Sequence, residues 1–215
     1  GVSSAASDVY KRQSLGRSLA NTPGGKALIS WSGTMFEYLM PFIVMKDFPT
    51  TILGRTGRAV VNAQIHYGAR QSAPWGISES AYSGVDFEKT YQYRAFGVPG
   101  LGLKRGLSED LVVSPYSTML ALGFAPSLES AIRNLKHLED EGARGEFGFY
   151  EAIDYTTTRH VRSEGKHIVQ SFFAHHQGMS LVSINNVLNN DIMPERFHPQ
   201  PVVKAAELLL HERFP

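Results

Sequence analysis

Apolar residues recur at helical spacing in several separate stretches, and the connections between them are rich in Gly, Pro and aromatic residues. Ala59, Val60, Ala63, Ile65 and Tyr67 predict an amphipathic helix over Gly54 to Gly68, closed by Gly68. Ser108, with Asp110 and Leu111, predicts a helix start. Val112, Tyr116, Met119 and Leu122 carry that helix to about Gly123. Pro126 opens the next helix, which reads Leu128, Ile132, Leu135 and Leu138 and stops at Gly142. Phe172 to Leu188 gives the strongest helical signal, and Val202 to Arg213 gives another. The stretch from Ala69 to Gly106 reads as irregular and holds eight Gly or Pro residues, a length usually tied to function. Thr156 to Ile168 is polar and reads as a short hairpin. Strand alternation is weak throughout. The fold class expected is all-α, a helical barrel or toroid whose long loops gather at one end and line a cleft.

Composition narrows the function more than the fold. A 42% hydrophobic share over 215 residues is enough for a core. A net charge of +1, with no Lys/Arg run, argues against nucleic acid as a partner. The absence of Cys excludes a disulfide framework, thiolate catalysis and thiolate zinc sites. No stretch of about 18 apolar residues exists to span a membrane, and no secretory signal is visible. The opening residues 1–13 have no apolar period and read as a non-native or disordered leader, so the domain is expected over 14–215. The chain begins without Met and stops just after a helical pattern, which reads as a cut fragment.

Two segments carry the chemistry. Pro74 to Tyr82 reads Pro-Trp-Gly-Ile-Ser-Glu-Ser-Ala-Tyr, and Phe147 to Tyr155 reads Phe-Gly-Phe-Tyr-Glu-Ala-Ile-Asp-Tyr. Each sets an acid among aromatic and small residues. Aromatic faces stack on the C–H faces of sugars, and carboxyls do the acid–base work on glycosidic bonds. Glu79 is therefore a candidate catalytic or sugar-gripping carboxylate, with Trp75 or Tyr82 as a platform, and equally a candidate helix cap between Ser78 and Ser80. Glu151 has apolar neighbours on both sides. They would desolvate its carboxyl and suit it to donate a proton. Asp154 lies three residues on, either beside Glu151 or opening a turn. Glu37 is a third acid in aromatic company, read as sugar-binding or as a hydrogen-bonded structural acid. Tyr93 and Arg94 offer hydroxyl-binding and stacking contacts, or a packed loop, and Arg94 could also pair with a catalytic acid. His175 and His176 point about 100° apart on a helix and cannot both face one metal, so no metal site is expected. His176 and Gln177 are candidates for sugar hydroxyls, and Tyr150 for stacking.

Five motifs carry a resemblance: Trp31 to Pro41, Pro74 to Tyr82, Tyr93 to Gly106, Gly148 to Tyr155 and Ala174 to Ser180. In this order they resemble the glycoamylase-like domain of cyclic β-1,2-glucan synthases, over about residues 25 to 215. The resemblance implies an (α/α)₆ barrel, here lacking its opening. It implies transglycosylation of β-1,2-glucan, in which the linear chain is cut and rejoined to its own far end. Glu151 would be the general acid/base and Glu79 the nucleophile, or the second acid of an inverting variant. No cofactor is implied. The implied partners are the glucan and flanking glycosyltransferase and phosphorylase domains, in a large protein at the cytoplasmic face of the inner membrane. Related endo-β-1,2-glucanases transfer to water instead, and a non-catalytic glucan-holding module is the remaining alternative.

Overall fold

The computed structural model describes residues 18–159 and 165–212. The expected leader, the middle of the expected 156–168 hairpin and Arg213 lie outside them.

The chain opens on an antiparallel hairpin, β1 (Leu19–Thr22) and β2 (Gly25–Leu28), which lies against the long helix α2 (Ile52–Arg70). Between them sits the short helix α1 (Met35–Leu39). Thr34 accepts the Glu37 N–H, and Glu37 reaches back to the cap, a reciprocal capping box. Thr51 caps α2. That helix buries Ile52, Thr56, Ala59, Val60, Ala63, Gln64 and Tyr67, one face at helical spacing.

Next come the antiparallel strands β3 (Ser80–Val85) and β4 (Tyr91–Arg94), then β5 (Val112–Val113). Helices α3 (Pro115–Leu120) and α4 (Leu128–Asp140) follow, and Gly142, at φ +94°, turns the chain after α4. Two very short strands, β6 (Arg144–Gly145) and β7 (Gly148–Phe149), pair with each other. β8 (Ala152–Asp154) then pairs with both β5 and β9 (His167–Val169). Helix α5 (Ala174–Leu188) packs on α3, and α6 (Ile192–Phe197) and α7 (Pro201–Ala206) follow. One core runs through the molecule, with Met35, Leu39, Val60, Ile77, Val112, Ile153 and Leu138 all but sealed from solvent.

The protein is not all-α. Among the described residues four small sheets hold the connections together. Seven α-helices stand among the described residues, against the twelve that six helical hairpins require, so a closed barrel is not seen in them. The helix expected from Ser108 begins only at Pro115. Val112 and Val113 are buried strand residues on β8, and the residue before a proline is pushed to extended backbone: Ser114 sits at φ −114°, ψ 126°. The expected irregular stretch 69–106 contains the β3–β4 hairpin. Its turn is held by Asp86, whose Oδ1 accepts the Glu88 and Thr90 N–H groups. The expected C-terminal helix is α7 continued by a 3-10 turn, Glu207–His211.

Candidate functional site

Glu79 is offered from a rigid frame. Gly76, at φ +118°, lets the chain pass close to α3, where a Cβ would stand 2.4 Å from Ser117 Oγ. The amide of buried Gln64 grips Ile77 twice, accepting its N–H at 2.8 Å and donating to its C=O at 2.8 Å. Ser78 Oγ accepts the Phe36 N–H at 3.0 Å. The Tyr116 hydroxyl lies 2.7 Å from Ser78 Oγ and 2.8 Å from the Glu79 carbonyl. Glu79 leads into β3, so it caps no helix, and its side chain stays half-buried. Burial raises its carboxyl above the usual range. The charge of Glu37 adds to this, while His176 and the Tyr93 hydroxyl hydrogen bond partly oppose it.

Glu151 lies just before β8 and is 2% exposed. Its carboxylate accepts the Ala81 N–H at 3.3 Å and faces His176 Nδ1 at 2.9 and 3.0 Å. His176, on the first turn of α5, is fully buried, and its ring stacks on Tyr116 at 3.6 Å with planes 8° apart. His176 Nε2 lies 3.3 Å from the Tyr93 hydroxyl, which hydrogen-bonds Glu79. The two glutamates therefore belong to one polar network, linked through Tyr93 and His176. His175 is exposed, with its ring centroid 4.0 Å from that of His176. Its imidazole is pushed down by burial and by the neighbouring His176.

Several expected site residues stand elsewhere. Glu151 and His176, sealed by their neighbours, present no surface to a sugar. Trp75 is 7% exposed in the core, and Asn134 holds both its N–H and its C=O, so it is no stacking platform. The Tyr82 ring is half-buried between Phe96, at 5.6 Å, and the Arg159 guanidinium, at 4.9 Å. Arg94 pairs with Asp110 at 3.1 Å rather than with either glutamate. Glu37 is occupied by its capping box, by Ser30 Oγ at 2.7 Å and by the Ser32 N–H at 3.0 Å. Tyr150 is half-buried, its phenol over Gly145 and its ring 5.4 Å from Phe172. Gln177 donates to the Phe149 carbonyl at 3.3 Å. Tyr93, 43% exposed, is the candidate that both meets solvent and touches the network.

Asp154 is fully buried and structural. Burial alone would raise its carboxyl. The hydrogen bonds from Arg159 Nε (2.9 Å), Ser83 Oγ (2.7 Å) and the Thr156 N–H (3.0 Å) outweigh that and bring it down to about 2. A carboxyl depressed in the fold stabilises above its unfolded value and loses that stabilisation as pH falls through its folded one. The thermal midpoint should therefore drop between pH ~4 and ~2, with on the order of 2 kcal/mol lost at this group. In an Asp154→Asn variant that step should shrink, which melting curves across pH would show.

Tyr116 and Gln64 matter to the site yet lie outside the motifs, and Ser78, inside one, was read only as capping chemistry. Gln64 left one signal, a polar residue on the apolar face of α2. A cavity of about 220 Å³, lined by Tyr38, Phe42, Met45 and Phe48 with Glu37 at its wall, includes neither Glu79 nor Glu151. Its apolar lining offers little to sugar hydroxyls. Among the described residues no group of three or more His, Asp or Glu side chains is placed to hold a metal, and no helix is long and apolar enough to cross a membrane.

The chain is similar to known proteins along most of its length. It is 47% identical over 201 residues to the cyclic beta-(1,2)-glucan synthase NdvB of Rhizobium meliloti, covering 94% of this chain but 7% of that protein. A glucoamylase-like crystal structure from Bacteroides caccae matches with a TM-score of 0.65 at 19% identity, over 91% of this chain and 46% of its own. One from Bacteroides fragilis matches with a TM-score of 0.66 at 18% identity, over 91% and 45%. These structures share the fold, and the chain spans just under half of each. The model of the glycoamylase family, described as "Putative glucoamylase", matches residues 2–201, and the chain belongs to that family.

Proposed function

We propose that this chain acts on β-1,2-glucan, with Glu79 as the general acid that protonates the glycosidic oxygen. The observation that carries this is Glu79 itself: its backbone is locked on three sides, its side chain is half open, and its carboxyl is raised by burial. A raised carboxyl keeps a proton to give at a pH where an ordinary one has lost it. This reverses the role expected for Glu79 from the motifs. The likeness to a cyclic beta-(1,2)-glucan synthase supports the substrate. It also supports the outcome, in which the oxygen of a hydroxyl at the glucan's own far end bonds to the anomeric carbon and closes a ring, while its proton passes to the Glu79 carboxylate. The flanking transferase and phosphorylase domains, and the membrane setting of the parent protein, belong to the same proposal.

The burial of Glu151 favours a second reading, a module that holds glucan without cutting it, because it removes one of the two carboxyls that glycosidases usually bring to the sugar. Incubating the protein that carries this chain with linear β-1,2-glucan and separating the products decides between the readings. Cyclic products are expected. Linear oligosaccharides alone would mean an endo-glucanase, and unchanged glucan that still binds would mean a holding module.

A further inference from the structure

The pair formed by Glu151 and His176 is buried in a part of the molecule where charge is costly. Both side chains are at most 1% exposed, and the ring is fixed by stacking on Tyr116. A carboxylate only accepts hydrogen bonds, so it requires a ring proton on Nδ1, and in the neutral ring the Nε2 lone pair then faces Tyr93. Tyr93 carries one hydroxyl proton and has two acceptors within reach, His176 Nε2 and Glu79.

We infer that Glu151 and His176 are positioning residues, which fix the ring tautomer so that the Tyr93 hydroxyl is held against the Glu79 carboxyl and serves it in both protonation states. While Glu79 holds its proton, the Tyr93 O–H donates to His176 Nε2. Once Glu79 has given its proton to the leaving oxygen as the glycosidic bond breaks, the same O–H turns to the new carboxylate and stabilises it, and Tyr93 keeps its own proton throughout. Tyr93 works here as a neutral donor rather than as a nucleophile. Burial, with Glu79 and Glu151 nearby, pushes its hydroxyl well above the usual range and opposes the phenolate that attack would need. Tyr116 and His175, the remaining titratable groups against the ring, complete its surroundings. The proposal rests on Glu79 as the acid.

Two experiments test it. In the ¹⁵N-histidine spectrum of this chain, the His176 ring should show the Nδ1–H tautomer, and Glu151→Gln should shift the population toward Nε2–H. A wild-type ring protonated on Nε2 alone, or on both nitrogens at the pH of activity, overturns the proposal whether or not glucan is the substrate. In the protein that carries the chain, Tyr93→Phe should lower kcat about 10- to 100-fold, the worth of a hydrogen bond to a charged group, and leave KM within about twofold. Adding Glu151→Gln should cost little beyond the worse single variant, because both act through one chain of contacts. Losses that multiply, or azide restoring a Glu151→Ala variant, would show Glu151 working at the sugar itself and overturn the proposal. If the wild-type protein leaves β-1,2-glucan unchanged, the substrate assignment fails, while the tautomer result still decides the network.

Discussion

Replacing Glu79 with Gln should lower turnover of β-1,2-glucan by about 10³-fold, within the range that a lost general acid costs. The amide keeps the shape of the side chain and much of its hydrogen bonding but has no proton to deliver. The loops around it are held by Gln64, Ser78 and Tyr116, none of which touches the carboxyl. Gln keeps the volume of the half-buried side chain and can still accept from Tyr93, so stability should change by no more than about 1 kcal/mol. In the wild type, activity should fall as pH rises through the raised value of Glu79, because the acid must be protonated to act. That basic limb should vanish from the residual activity of the variant. Steady-state rates across pH check both points. A Glu79→Gln protein with near-normal kcat would remove Glu79 from the reaction.

Gly97→Ala should do comparable harm to the fold. A Cβ at Gly97 would stand 1.8 Å from the Ser32 carbonyl oxygen and 2.7 Å from the Gly33 carbonyl carbon. Both are backbone atoms, so no side chain can swing away. The same two segments are tied by Val98 N–H to Gly33 O at 3.2 Å and by Ser30 N–H to Leu101 O at 3.0 Å. Relief would require parting them, at several kcal/mol out of the ~5–15 kcal/mol that holds a domain together. Gly100 is the control. It has open space around it but sits at φ +89°, so Gly100→Ala should cost only about 1–2 kcal/mol. Thermal melting of the two variants should separate them widely, and equal midpoints would contradict the close approach of segments 30–33 and 97–102.

The helices were legible where one face repeats. Ala59, Val60, Ala63 and Tyr67 mark the buried side of α2, and Gly142 ends α4 where it was expected to. The strands were not, because most are too short to show alternation, and β5 forms only against a partner far along the chain. Val112 and Tyr116 sit four apart and suit a helix, yet Val112 is held by Asp154, far along the chain. Aromatic company correctly marked Glu151 as desolvated. It could not show that the desolvating neighbours leave no room for a sugar, or that His176 completes the pair. Trp75 misled for the same reason: a Trp beside Gly and Pro reads as an open platform until Asn134 is seen to hold it in the core.

The most direct measurement needs no substrate. The side-chain carboxyl ¹³C signal of Glu79, assigned by its loss in Glu79→Gln, can be followed against pH. Titration clearly above the ordinary 4.5 is the predicted result. Titration at or below that value would contradict the acid role given to Glu79.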